Sequence, residues 1–250
     1  MSHFLLVHGA WHGAWCFEKI TALLEAGGHQ VTAVDLPGHG SRRESDPIEQ
    51  QNLKSCAKGV ADVLEKQSGP VILAAHSWGG MCITQAAAMC PDKIQKLVYI
   101  AAGLPRDGQS INNPDDGSAI NPCDWVGISR EGKVSRLVKN EKAVELIDED
   151  YVMDLLYADV DEAEARNACR RLTPEAVACL YDRVELNAEV DRIPRYYIRT
   201  LYDKAITPEY QDAMIANSPC KKVYTMKTGH SPFLAQPERL VQILDEIAED

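Results

Sequence analysis

Short apolar runs that stop on Gly or Pro alternate along this chain with stretches whose apolar residues recur at helical spacing, and that rhythm constrains the fold more than any other feature. Residues 4–7 stop at His8-Gly9, and the helical pattern of 17–26 stops at Gly27-Gly28. Residues 31–34 form a second strand that ends on Asp35-Leu36-Pro37-Gly38-His39-Gly40, a helix is expected over 53–66, and 71–75 read as a third strand. A helix over 81–90 and a strand over 97–101 follow. The rhythm returns late in the chain with a strand at 195–199, a helix from about Glu209, a strand at 222–226 and a last helix over 237–247. Strands alternating with helices predict an α/β fold, with a mostly parallel central sheet, right-handed crossovers and helices on its flanks.

Between 104 and 191 the pattern changes. Residues 112–117 are rich in turn formers, and 141–157, 162–171 and 174–182 read as helices with no strands between them. The chain of 250 residues therefore divides into a core of 1–103 and 192–250 and an inserted helical cap, or lid, of 104–191.

Charge narrows the partners. The net charge of −11 is spread along the chain, and the 26 Lys and Arg residues form only short pairs such as Arg42-Arg43. Nucleic acid and anionic membrane are disfavoured as partners, and a small molecule is favoured. The first residues, Met1-Ser2-His3-Phe4-Leu5-Leu6-Val7, lack the features of a secretory signal, and no stretch approaches the roughly 18 apolar residues of a membrane span. A cytoplasmic location is expected. The eight cysteines, at 16, 56, 82, 90, 123, 169, 179 and 220, form no CxxC pair and are read as small buried hydrophobes.

An α/β sheet places its chemistry at the carboxyl ends of its strands. After the third strand comes Ala75-His76-Ser77-Trp78-Gly79, the GxSxG elbow with alanine in place of the first glycine. Asp203 follows the fifth strand and Gly229-His230 the sixth. Serine is a weak nucleophile until an imidazole takes its proton, so Ser77 is the candidate nucleophile, His230 its base, and Asp203 the carboxylate that orients the base. His12, His39 and His76 are competing bases, and Asp107 is the reserve acid. The backbone amides of Ala10 and Trp78 are the candidate oxyanion donors, with Gly9 keeping the approach open. Gly9, Trp11, His12, Leu104 and Trp125 are candidate substrate contacts, which favour a small hydrophobic or aromatic ligand. The histidines lack metal-ligand spacing, and Gly38-His39-Gly40 is not a nucleotide fingerprint, so no metal and no cofactor are expected.

Together these residues resemble the α/β-hydrolase superfamily. More narrowly, His8-Gly9-Ala10-Trp11-His12-Gly13-Ala14-Trp15 and the run from Ala33 to Gly40 look like the branch holding plant methylesterases, hydroxynitrile lyases and their bacterial esterase relatives. The resemblance implies an eight-stranded, mostly parallel sheet and a site between sheet and cap. Hydroxynitrile lyases of this type carry threonine after the first-strand histidine and lysine after the catalytic histidine, whereas this chain has Gly9 and Ser231. A serine esterase acting through an acyl-enzyme is therefore the expected function. Lactonase, amidase, C–C hydrolase and cofactor-free dioxygenase activities on the same scaffold stay open, a lyase or a non-catalytic ligand receptor is disfavoured, and a homodimer is allowed.

Overall fold

Runs that are apolar at every position must be covered on both faces, which is how the strands of this protein read. The structure, a computed structural model, describes residues 1–111, 136–139, 142–146 and 148–250. Strand β3 (Val71–His76) is buried at every residue, and β4 (Ile94–Ile100) at all but Gln95. With β1 (His3–Val7), β2 (Gln30–Val34), β8 (Arg195–Thr200) and β9 (Lys222–Met226) they form a six-stranded sheet in the order β2-β1-β3-β4-β8-β9, parallel throughout. Successive side chains point to opposite faces. Leu5, Val7, Leu73, Ala75, Leu97 and Tyr99 pack in one layer with α2 (Leu53–Glu65) and α3 (Gly79–Met89). Phe4, Leu6, Ile72, Ala74, Val98 and Ile100 pack in the other with α1 (Glu18–Ala26) and α9 (Pro237–Glu249). Truncating one of these fully buried side chains, such as Leu73→Ala, costs about 2–5 kcal/mol.

The helices start where the chain supplies caps. Asn52 accepts the Ser55 backbone N–H at 2.8 Å while the Ser55 hydroxyl oxygen accepts the Asn52 N–H at 3.0 Å, a reciprocal box at the head of α2. Pro237 stands in the first turn of α9, which follows α7 (Pro208–Asn217) and α8 (Pro232–Ala235), and there its missing N–H costs nothing.

From β1 the chain steps outward to β2, then returns across the sheet to β3 on the other side of β1. The crossover helices consequently lie on opposite faces, and the carboxyl ends of β1 and β3 border a crevice at this switch point. The six strands are those that periodicity picks out. The eight implied by the resemblance are not found among the described residues, because the chain offers six apolar runs of strand character outside the insertion.

The insertion differs from the all-helical expectation. Strands β5 (Arg136–Lys139), β6 (Ala143–Leu146) and β7 (Glu175–Ala176) form an antiparallel sheet, joined by α4 (Glu149–Leu156), α5 (Glu162–Cys169) and α6 (Val177–Tyr181). The stretch read as one helix over 141–157 thus holds a strand, Ala143–Leu146, and a helix, Glu149–Leu156, and Asp148 caps the helix by accepting the Tyr151 N–H at 3.0 Å. Ala143, Val144, Ala176, Cys179 and Leu180 belong to the same apolar cluster as the α2–α3 face of the sheet, so the cap has no separate core there. Among the described residues no helix is long and apolar enough to cross a membrane. The turn-rich 112–117 stretch lies outside the described residues.

Candidate active site

Between the last residue of β3, His76, and the first of α3, Gly79, there is room for only Ser77 and Trp78. The turn is tight enough to put Ser77 at φ 53°, a left-handed conformation that costs a non-glycine residue about 1–3 kcal/mol. Three backbone hydrogen bonds hold it there. The Ser77 N–H donates to the Ile100 carbonyl at 3.3 Å, and its carbonyl accepts the N–H groups of Gly80 at 3.1 Å and Gly103 at 3.0 Å. A methyl group at Gly79 would lie 2.5 Å from the His8 carbonyl oxygen, and one at Gly9 would lie 2.7 Å from Ser77 Cβ. The close approaches thus fall at 79 and 9. Position 75 tolerates alanine, whose side chain is fully buried in the core.

Asp203 follows the end of β8 and His230 the end of β9; His230 reaches Ser77 across the carboxyl edge of the sheet, and Asp203 stands behind His230. The Ser77 hydroxyl lies 3.0 Å from His230 Nε2, and His230 Nδ1 lies 2.9 and 3.0 Å from the two Asp203 carboxylate oxygens. Since a carboxylate only accepts, Nδ1 carries the proton and Nε2 accepts from the serine. Asp203 is itself fixed by four further donors: the N–H groups of Ala205 and Ile206 at 2.8 Å each, the Thr200 hydroxyl at 3.0 Å and the Gln211 amide at 3.3 Å. All three groups are buried, at 4%, 2% and 3% exposed for Ser77, His230 and Asp203. Such a chain can take a proton from a hydroxyl and return it. The reserve acid, Asp107, instead accepts the Leu186 N–H at 2.8 Å.

The other histidines near the crevice are committed to protein partners. His8 donates through Nδ1 to the Gly9 carbonyl at 2.8 Å and accepts the Leu36 N–H at 3.1 Å. Because the peptide unit is planar and trans, fixing the Gly9 carbonyl also fixes the direction of the Ala10 N–H. Among the described residues the backbone N–H groups of Ala10 and Trp78 donate to no protein group. His12 donates to the Ala10 carbonyl at 2.8 Å and accepts the Tyr157 hydroxyl at 2.7 Å. Burial pushes His8 down to about 3 and His12 to about 4, so both are neutral. His39 goes the other way: burial opposes its charge, but the Glu175 carboxylate 3.3 Å from Nε2 and the Pro37 carbonyl 3.2 Å from Nδ1 override that and raise its pKa.

His76, a competing base in the sequence, stands beside the site in another capacity. Its Nε2 donates to the His230 carbonyl at 2.8 Å, and the two rings lie 4.5 Å apart. Burial, followed by the neighbouring His230, holds it well below its ordinary value, so it is a neutral prop for the His230 backbone. On the other side of that residue the Gly229 N–H is accepted by Asp159 of the cap at 2.7 Å. A lone histidine before a serine carries no sequence signal of such a contact, because the partner is 154 residues away.

Of the candidate substrate contacts, Trp11 is 2% exposed, His12 2% and Leu104 1%. The Leu104 N–H faces Met214 Sδ at 3.3 Å, and Trp125 lies outside the described residues. Gly9 lies against Ser77. The described cysteines are all free, and Cys16, Cys56, Cys82, Cys90 and Cys179 are buried; Cys123 lies outside the described residues.

Comparison with known proteins agrees with this architecture. A family model described as alpha/beta hydrolase family matches residues 4–243. Putative methylesterase 11, chloroplastic, of Arabidopsis thaliana is 35% identical over 99% of the chain, which spans only 64% of that relative's length. Methylesterase 9 of the same plant is 31% identical, with 100% of the chain and 99% of the relative covered. The crystal structure of a methylesterase from Arabidopsis has a TM-score of 0.82 at 26% identity, covering 100% of this chain and 99% of that one. With its parallel sheet, serine elbow and family match over nearly its whole length, this chain belongs to the alpha/beta hydrolase family.

Proposed function

We propose that the protein is a serine esterase that cleaves a small carboxylic ester through an acyl-enzyme. The observation that carries this reading is the continuous chain from Ser77 through His230 to Asp203, with hydrogen-bond distances of 3.0 Å and 2.9 Å. In the first half-reaction Ser77 Oγ bonds to the ester carbonyl carbon while its proton passes to His230 Nε2. The carbon–alkoxide bond then breaks and His230 returns the proton to the departing alcohol. In the second half a water molecule gives a proton to His230 and its oxygen bonds to the acyl carbon, after which Ser77 leaves with that proton and the acid is released. Asp203 holds the His230 tautomer and offsets the imidazolium charge. The Ala10 and Trp78 amides receive the oxyanion, their N–H groups already aimed when charge develops.

The relatives named methylesterases support a small alcohol portion, methanol foremost, and the apolar candidate contacts Trp11 and Leu104 favour a hydrophobic or aromatic acyl portion. The test is a panel of esters varied separately in acyl and alcohol groups, run on wild type and Ser77→Ala. Methyl and other small-alcohol esters are expected to turn over in wild type, and Ser77→Ala to lose at least about 10³-fold in kcat. Retained turnover in folded Ser77→Ala would reject the mechanism.

A further inference from the structure

Two cap carbonyls reach down to Trp11, the neighbour of one candidate oxyanion donor, Ala10, and to Trp78, which bears the other. The Trp11 indole N–H donates to the Val144 carbonyl of β6 at 3.1 Å, and the Trp78 indole N–H donates to the Cys179 carbonyl of α6 at 2.5 Å. Both rings are buried, so each N–H depends on its cap partner, because a buried donor left unsatisfied is costly.

Trp11 also has a left-handed backbone, at φ 63°. A bulky side chain adopts that conformation only where its surroundings impose it. Here the surroundings are again the cap, since the Trp11 carbonyl accepts the Thr173 N–H at 2.9 Å. The cap therefore grips Trp11 by main chain and side chain, one residue beyond the Ala10 amide. It grips Trp78, the residue after Ser77, by the indole. His8 sets the turn from below by fixing the Gly9 carbonyl, and the cap sets it from above.

From this we infer that the cap completes the oxyanion hole, with the Trp11 and Trp78 side chains as positioning residues that register the two backbone donors against Ser77. The inference rests on the serine-esterase reading. It extends that reading by giving the cap a part in the chemistry: with the two indole contacts cut, the serine, histidine and aspartate keep their hydrogen bonds while the donors lose their aim. The side chains of Trp11 and Trp78 are then alignment pins, and their indole N–H groups matter beyond their ring volume.

The experiment compares wild type, Trp11→Phe and Trp78→Phe in the full chain by two readouts. One is the rate at which a fluorophosphonate labels Ser77. The other is affinity for an aryl trifluoromethyl ketone, which forms an oxyanion with the serine, against affinity for the matching methyl ketone, which does not. The expected result is labelling slowed by about 10–100-fold and trifluoromethyl ketone affinity weakened by a similar factor, as for a displaced catalytic group, with methyl ketone affinity within about 2-fold of wild type. Unchanged labelling and unchanged trifluoromethyl ketone affinity in folded variants would overturn the inference, and so would equal losses for both ketones, which mark a pocket wall. Where a Phe variant fails to fold, the β-(3-benzothienyl)alanine isostere at position 11 or 78 removes the N–H alone, and the same outcomes decide. Failure to label wild type at all would reject the serine-esterase reading instead, so the two failures are distinct.

Discussion

Among the described residues two buried histidine–carboxylate pairs stand out, one at the elbow and one where the cap meets the sheet, and they are built differently. At the elbow, Asp203 faces His230 Nδ1 with both oxygens within 3.0 Å, and Nε2 is left to accept from a hydroxyl. At the cap, His39 has an acceptor at each ring nitrogen, Pro37 at 3.2 Å and Glu175 at 3.3 Å, which favours the imidazolium. The first pair leaves one ring nitrogen to a hydroxyl; the second meets an acceptor at both. His39 follows β2 of the core and Glu175 stands in β7, so the second pair joins core to cap in a place from which solvent is excluded. The same two residue types thus serve chemistry or attachment according to what faces the second ring nitrogen.

The sharpest way to break the comparison is to neutralise each carboxylate in turn. Asp203→Asn is expected to lower kcat by about 10⁴-fold, because the base loses its tautomer and the partner for its charge. Glu175→Gln is expected to keep kcat within about tenfold and to lose about 3 kcal/mol of stability in urea unfolding, as a buried pair does when one member is removed. Activity and stability should therefore separate cleanly between the two variants, and a similar loss of activity in both would erase the distinction.

Titration sharpens the comparison by a smaller amount. His39 has a folded-state pKa above its ordinary 6.5, so its contribution is complete below 6.5 and is lost as pH rises through the folded value. His8 and His12, lowered to about 3 and about 4, act in the opposite direction: their contribution is present above 6.5 and is lost as pH falls toward those values. Stability should fall on both sides, with each histidine adding a slope of up to about 1.4 kcal/mol per pH unit. Thermal melts across pH should show Glu175→Gln losing the alkaline decline while keeping the acid one. The smallest effect belongs to the rim of the cap, where Arg171 and Glu18 pair at 2.7 Å with side chains 37% and 65% exposed. Glu18→Gln should cost less than about 1 kcal/mol, and less again in high salt.

The parallel sheet was readable because its strands are apolar on both faces, which leaves little ambiguity in runs such as Val71-Ile72-Leu73-Ala74-Ala75. Ser77, Asp203 and His230 were readable because each follows such a run, at the end of the sheet where ligands bind. The cap was not. A strand as short as β7 carries no period, and the β6–α4 boundary turns on one aspartate cap, Asp148. The props of the site were hidden for another reason. His76, Trp11 and Trp78 act through backbone carbonyls of residues 154, 133 and 101 positions away, and a carbonyl belongs to every residue, so no residue type announces it. Sequence reading accordingly gave Trp11 to the substrate and only the backbone of Trp78 to the site, whereas both indoles are buried and bonded to the cap.

The central claim, that Ser77 is a nucleophile activated by His230, is tested most directly by intact-mass and peptide mapping after exposure to a fluorophosphonate. The account predicts one phosphonyl group per chain, on Ser77, in wild type, and at least about 10³-fold slower labelling in His230→Ala. A label on a cysteine or another serine, or equal labelling of wild type and His230→Ala, would contradict it.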